Sequence, residues 1–123
     1  MRVLIVDDEL TTAELTADCL MMDPDLSVQI ACDGASALRL VTEFGPEAIL
    51  LDVELPDACG LFLAPQLKAV CPNHAPRIII FSGSIPETEG GALPPGVDAW
   101  ITKPVHLDAL LECIRVPSGA KTS

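Results

Sequence analysis

The chain has 123 residues, enough for one domain whose core needs no disulfide or metal to hold it. Half of the residues are apolar, and eighteen acids face seven bases for a formal net charge of -11. That balance argues against nucleic acid as a direct ligand and against docking on anionic lipid, and suits a basic partner or a bound divalent cation.

Val3-Leu4-Ile5-Val6 is a continuous apolar run and predicts a first strand buried on both faces. Asp7-Asp8-Glu9 follows at once. Leu10, Ala13, Ala17, Leu20 and Met21 then recur at helical spacing, and Asp23-Pro24 stops that helix. Ser27 to Ala31 predicts a second strand. Asp33-Gly34 opens a second helix with Ala37, Leu40, Val41 and Phe44 on one face, closed by Gly45-Pro46. Ala48-Ile49-Leu50-Leu51 predicts a third strand running into Asp52. The next helix carries Leu63, Leu67, Val70 and Cys71 inward. Pro65 inside it predicts a late start or a kink, because proline is comfortable only in the first turn. Ile78-Ile79-Ile80-Phe81 predicts a fourth strand and Val97 to Ile101 a fifth. Leu107, Leu110, Leu111 and Ile114 mark a last helix by i, i+3, i+4, i+7 spacing.

Between the last two strands, residues 84–96 read SIPETEGGALPPG, with three prolines and three glycines. A regular helix is not expected there, so the fourth helix is predicted short or missing. Five strands, each followed by a helical or crossover segment, imply an α/β fold with a parallel sheet. Residues 1–116 form the predicted domain, and the small, polar 117–123 a disordered tail or the start of a linker. No apolar run approaches the ~20 residues of a membrane span, and the acids right after the first strand rule out a secretory signal. The five cysteines, Cys19, Cys32, Cys59, Cys71 and Cys113, include no C-x-x-C pair and predict free thiols in the cytoplasm. His74 and His106 are read as surface residues.

In open α/β sheets, ligands bind beyond the carboxyl ends of the strands. Asp7 and Asp8 follow strand one, Asp52 strand three, Ser82 and Gly83 strand four, and Lys103 strand five. Three carboxylates, a hydroxyl and an ammonium thus converge on one edge, which stability alone does not require. Clustered carboxylates repel unless a cation neutralises them, and a hard divalent ion with oxygen ligands, Mg²⁺ or Mn²⁺, is the natural partner. With Lys103 as a second positive charge and Ser82 as a donor, such a pocket suits a transferring phosphoryl group, which one carboxylate could receive as nucleophile. Singly, each of these residues reads equally well as an ordinary loop acid, hydroxyl or turn; it is their joint placement that points to chemistry.

At this point the chain resembles the receiver domain of two-component response regulators, from Arg2 to about Arg115. The matching pieces are Asp7-Asp8, the segment Leu51-Asp52-Val53-Glu54-Leu55-Pro56-Asp57-Ala58-Cys59-Gly60, Ser82-Gly83, and Trp100-Ile101-Thr102-Lys103-Pro104. The resemblance implies a flavodoxin-like (βα)5 sheet of strand order 2-1-3-4-5. It implies Asp52 as phosphoacceptor, with Mg²⁺ held by Asp8 directly, Asp7 through water, Asp52, and the backbone carbonyl of Glu54. It implies Lys103 pairing with the phosphoryl group, Ser82 and the Gly83 amide as its hydrogen-bond donors, and Trp100 at an aromatic switch position that moves with Ser82. The peptide bond before Pro104 is often cis in that family. The implied partners are a histidine kinase or histidine phosphotransfer protein as donor, an unidentified downstream effector, and a second copy of the chain as a candidate. The weak fourth helix departs from the family and puts its common output face in doubt. Glu54 is a second departure, an acid two residues past Asp52 at a position that tunes phosphoryl lifetime in that family.

Two other functions compete. In a phosphatase of the haloacid dehalogenase type, Asp52-Val53-Glu54 would echo a D-x-D motif, but there the nucleophile follows the first strand and the chain is larger. A phosphorylation-independent pseudo-receiver would serve as a protein-binding module; the complete acidic set and Lys103 argue against it. A flavin module is disfavoured, because no phosphate-cradling loop follows strand one.

Overall fold

The computed structural model describes residues 1–57, 59–71, 75–82, 95–102 and 114, with only the backbone described at Ser82 and Thr102. Five strands form one sheet: β1 (Arg2–Val6), β2 (Ser27–Ala31), β3 (Ala48–Leu51), β4 (Arg77–Ser82) and β5 (Ala99–Thr102). Their order is β2-β1-β3-β4-β5, and every pairing is parallel. Helices α1 (Leu10–Leu20), α2 (Gly34–Phe44) and α3 (Gly60–Val70) connect them. The expected α/β architecture and strand order are therefore present. The expected fourth helix, most of the segment 84–96, His74, His106, Cys113 and the tail 117–123 lie outside the described residues. Of the expected last helix, Ile114 is described; it is helical and buried.

Alternation along the central strands supplies two cores. Leu4 and Val6 of β1, Ile49 and Leu51 of β3, and Ile78 and Ile80 of β4 pack with Ala37, Val41, Leu63 and Leu67 of α2 and α3. Val3, Ile5, Leu50 and Ile79 pack on the other face with Ala13, Ala17 and Leu20 of α1 and with Ile114. Covered on both sides, these strands carry unbroken apolar runs, Val3 to Val6, Ala48 to Leu51 and Ile78 to Phe81, as the sequence indicates. Each fully buried Ile or Leu contributes roughly 1.5–3 kcal/mol.

Several details differ from the sequence reading. Leu10, Met21 and Val70 are exposed rather than inward. Each sits in the first or last turn of its helix or at its cap. The third helix does not start late: α3 runs without interruption from Gly60 through Pro65 to Val70. Pro65 is exposed, so its ring takes no room in the core. Strand β5 starts at Ala99, two residues later than expected. The Asp98 carboxylate takes the Ile78 amide at 2.8 Å, the bond a main-chain carbonyl would otherwise accept, while Asp98 N–H donates to the Ile78 carbonyl. Val97 is still buried, but the ladder begins beyond that side-chain bridge. The same carboxylate pairs with Lys68 of α3 at 2.7 Å.

Candidate functional site

Register builds the site. Val6, the last residue of β1, pairs with Leu51, the last of β3. The next residue on each strand is an aspartate, so Asp7 and Asp52 leave the sheet side by side. Their backbones are held there: Asp7 N–H donates to the Ala31 carbonyl at 3.0 Å and Asp52 N–H to the Val6 carbonyl at 2.9 Å. Asp7 is buried, 4% exposed, and its Oδ1 accepts the Glu9 amide at 3.0 Å. Asp52 is half-buried and Asp8 exposed. One carboxylate oxygen from each of Asp7, Asp8 and Asp52 lies within 4.8 Å of the others.

That spacing fits a small hard cation. Oxygens around an octahedral Mg²⁺ ion at 2.0–2.1 Å are about 3 Å apart when adjacent and about 4 Å when opposite, so the three carboxylates would close on one by small side-chain rotations or through a bridging water. The donor set is all oxygen, as Mg²⁺ and Mn²⁺ prefer.

Past Asp52 the chain makes a tight loop. The Gly60 amide donates to the Val53 carbonyl at 2.6 Å, and Glu54 and Cys59 form an isolated antiparallel bridge. The first turn of α3 lies directly on the phosphoacceptor candidate's backbone, for a Cβ on Gly60 would stand 2.1 Å from the Asp52 carbonyl oxygen. Glu54 is exposed and Cys59 half-buried. Asp57, at the outer end of the loop, accepts the Gly34 amide at 2.8 Å and the Ala35 amide at 3.1 Å, both at the start of α2.

Of the sequence-derived site residues, then, Asp7, Asp8 and Asp52 are brought together, and Glu54 stands in the loop beside them. Ser82 ends β4 on the same sheet edge; because Leu51 pairs with Ile80, its backbone lies one step beyond the level of Asp52. Trp100 lies on β5 opposite Ile80, half-buried against the core on the α2–α3 side. Gly83, Lys103 and Pro104 lie outside the described residues. Sequence reasoning assigned no role to Gly60 or Asp57. Gly60 carries a detectable signal: glycine is a poor first-turn residue unless something comes close. The Asp57 contact spans 22 and 23 residues and has no local signature.

Residues 3–115 match the family model of the response regulator receiver domain. The chain belongs to that family. Among curated proteins this receiver domain is 34% identical to the response regulator MprA of Mycobacterium leprae over 94% of its own length, and it spans about half the length of that relative, 50%. Among solved structures it is similar to a CheY-like receiver domain protein from Methanospirillum hungatei (TM-score 0.80, 30% identity, 93% of this chain and 90% of that one). It is also similar to a response regulator from Burkholderia pseudomallei determined with a phosphorylated aspartic acid, a calcium ion and citrate (TM-score 0.79, 25% identity, 93% of this chain and 66% of that one). The receiver domain is a signalling module of two-component systems, and the expected family and fold are both met. Among the described residues no helix is long and apolar enough to cross a membrane.

Proposed function

We propose that this receiver domain takes a phosphoryl group on Asp52 and uses it as a switch. The observation that supports the reading is the meeting of Asp7, Asp8 and Asp52 within 4.8 Å at the carboxyl edge of the sheet, in a chain of this family. Asp52 is the member assigned to react, because it directly follows the central strand β3 and is partly open to solvent. The donor is a phosphohistidine of a histidine kinase or a histidine phosphotransfer protein. A carboxylate oxygen of Asp52 forms the new P–O bond, the P–N bond breaks, and its electron pair stays on the donor imidazole, which keeps or gains a proton from solvent. The product is an aspartyl phosphate carrying about -1.5 to -2 charges.

Asp8, Asp7 through water, Asp52 and the Glu54 carbonyl would hold Mg²⁺ or Mn²⁺, which supplies charge neutralisation for the incoming phosphoryl oxygens. Lys103 pairs with the phosphoryl group, and the Ser82 hydroxyl and Gly83 amide donate to its oxygens. As Ser82 is drawn in, Trp100 moves with it, and the changed surface is read by a downstream effector or by a second copy of the chain.

The test is intact mass after incubation with acetyl phosphate and Mg²⁺, beside Asp52→Asn, with Trp100 fluorescence followed in parallel. One added phosphoryl group that requires both the metal and Asp52 is the expected result. A fluorescence change on the same time course ties Trp100 to the switch. No adduct and no response to Mg²⁺ would leave the pseudo-receiver, a binding module independent of phosphorylation.

A further inference from the structure

The first turn of α2 is satisfied by two carboxylates with different origins. Asp33, its own N-cap, accepts the Ser36 amide at 2.8 Å, and the Asp33 carbonyl accepts the Ala37 amide. The two amides before these, Gly34 and Ala35, go to the two oxygens of Asp57, a residue of the β3–α3 loop. Capping alone does not explain that second arrangement. Water or a local side chain satisfies first-turn amides as well, without ordering a distant loop.

What the bond accomplishes lies at the other end of the loop. Its base is fixed on Asp52 by the Gly60–Val53 bond, the Glu54–Cys59 bridge and the close approach of Gly60. Asp57 fixes its outer end on α2, a helix capped at both termini, by Asp33 at the start and by left-handed Gly45 at the end. Glu54 is thus held between two anchors. We infer that Asp57 is a positioning residue: it aims the loop bearing Glu54 at the cation and phosphoryl site, and through the same two bonds it couples the state of that site to the start of α2. The inference rests on the functional reading above. Coupling of this kind is reciprocal, so whatever orders the loop at Asp52 also protects the Gly34 and Ala35 amides, and releasing those amides loosens the site.

Asp33 provides the control, since it caps the same helix end but belongs to no loop of the site. The full 123-residue chain, Asp57→Ala, Asp57→Asn and Asp33→Ala are compared by Mg²⁺ titration, by acetyl phosphate labelling, and by amide hydrogen exchange at Gly34 and Ala35 with and without Mg²⁺. Asp57→Ala is expected to weaken Mg²⁺ binding about tenfold and slow labelling in parallel. Asp57→Asn falls between, because its amide group can accept one of the two bonds but not both. Asp33→Ala lowers the thermal midpoint yet leaves the Mg²⁺ affinity within about twofold, well short of what loss of a site-supporting contact costs. In the unaltered chain Mg²⁺ slows exchange at Gly34 and Ala35; in Asp57→Ala it does not. If Asp57→Ala and Asp33→Ala behave alike in both readouts while the unaltered chain binds and is labelled, Asp57 is only a cap and the inference fails alone. If the unaltered chain neither binds Mg²⁺ nor takes the phosphoryl group, the functional reading falls, and the inference with it.

Discussion

The acidic edge has two walls, and the chain holds them by different means. On the β1–α1 side, Asp7, Asp8 and Glu9 stand immediately before a helix, where acids commonly cap the first amides. Here α1 has no side-chain cap: Asp7 takes the Glu9 amide, ahead of the helix, and the Glu9 carboxylate accepts the Thr12 hydroxyl. On the β3–α3 side the loop is pinned at both ends, by the Gly60–Val53 bond, the Glu54–Cys59 bridge and the Asp57 bonds to α2. One wall leaves α1 without a side-chain cap, with Asp7 and Asp8 in the carboxylate cluster; the other is a fixed frame beside that cluster. The comparison teaches that acids beside a helix start need not cap it, and the hydrogen bonds show which of them do.

Substitutions separate the two walls. Gly60→Ala strikes the fixed frame hardest. With a methyl group 2.1 Å from the Asp52 carbonyl oxygen, backbone must move. The expected cost is about 3 kcal/mol, a fall on the order of 10 °C in thermal midpoint, with a matching loss of acetyl phosphate labelling; both are measured on one preparation. An unchanged midpoint would show that the frame yields easily.

The open wall answers to metal instead. Millimolar Mg²⁺ at about a hundred times its dissociation constant should stabilise the chain by about 2.7 kcal/mol, read as a rise in thermal midpoint. Asp8→Asn should remove most of that rise. In EDTA the same variant should be slightly more stable than the unaltered chain, because two unit charges about 5 Å apart in a water-like medium repel by about 1 kcal/mol. A variant that loses stability in EDTA would mean that Asp8 serves the fold and not a ligand.

The smallest effect concerns pH. The Ser36 amide, helped by the Ser36 hydroxyl and by Arg39, holds the Asp33 carboxyl below its ordinary value against a small opposing effect of desolvation. A folded-state pKa below the unfolded one gives stability that is present above the unfolded value of 3.8 and is lost as pH falls through the lower folded value. Asp33→Asn should flatten that acid limb in a pH series of denaturant midpoints while leaving the plateau near neutral pH almost unmoved.

These differences also mark what could be read from sequence. The central strands were legible because each holds an apolar run at consecutive positions with a polar residue at or just after its end; Val3 to Val6 and Ala48 to Leu51 are found as expected. Helix α2 was legible because its signals, Asp33 and Gly45, lie next to it in the chain. The acidic triad was legible because strand ends converge in this architecture. Contacts between distant segments were not: the Asp57 bonds and the Lys68–Asp98 pair depend on which loops end up adjacent. Leu10, Met21 and Val70 were misread because periodicity marks an apolar stripe but not which of its end residues find something to pack on.

The far end of the sheet has its own part in this. Arg2 and Glu47 bond twice across β1 and β3, from the Arg2 amide to the Glu47 carboxylate and from the Glu47 amide to the Arg2 carbonyl, each at 2.8 Å. Between those bonds and the two aspartates, both strands are apolar on every side, so burial alone does not choose among alignments. The Arg2–Glu47 pair works as an end-stop. A one-residue slip would carry Asp52 about 3.3 Å along Asp7, farther than a cation with fixed ligand distances tolerates. The Arg2–Glu47 bonds thus add, a whole strand away, to the register that sets Asp7 beside Asp52.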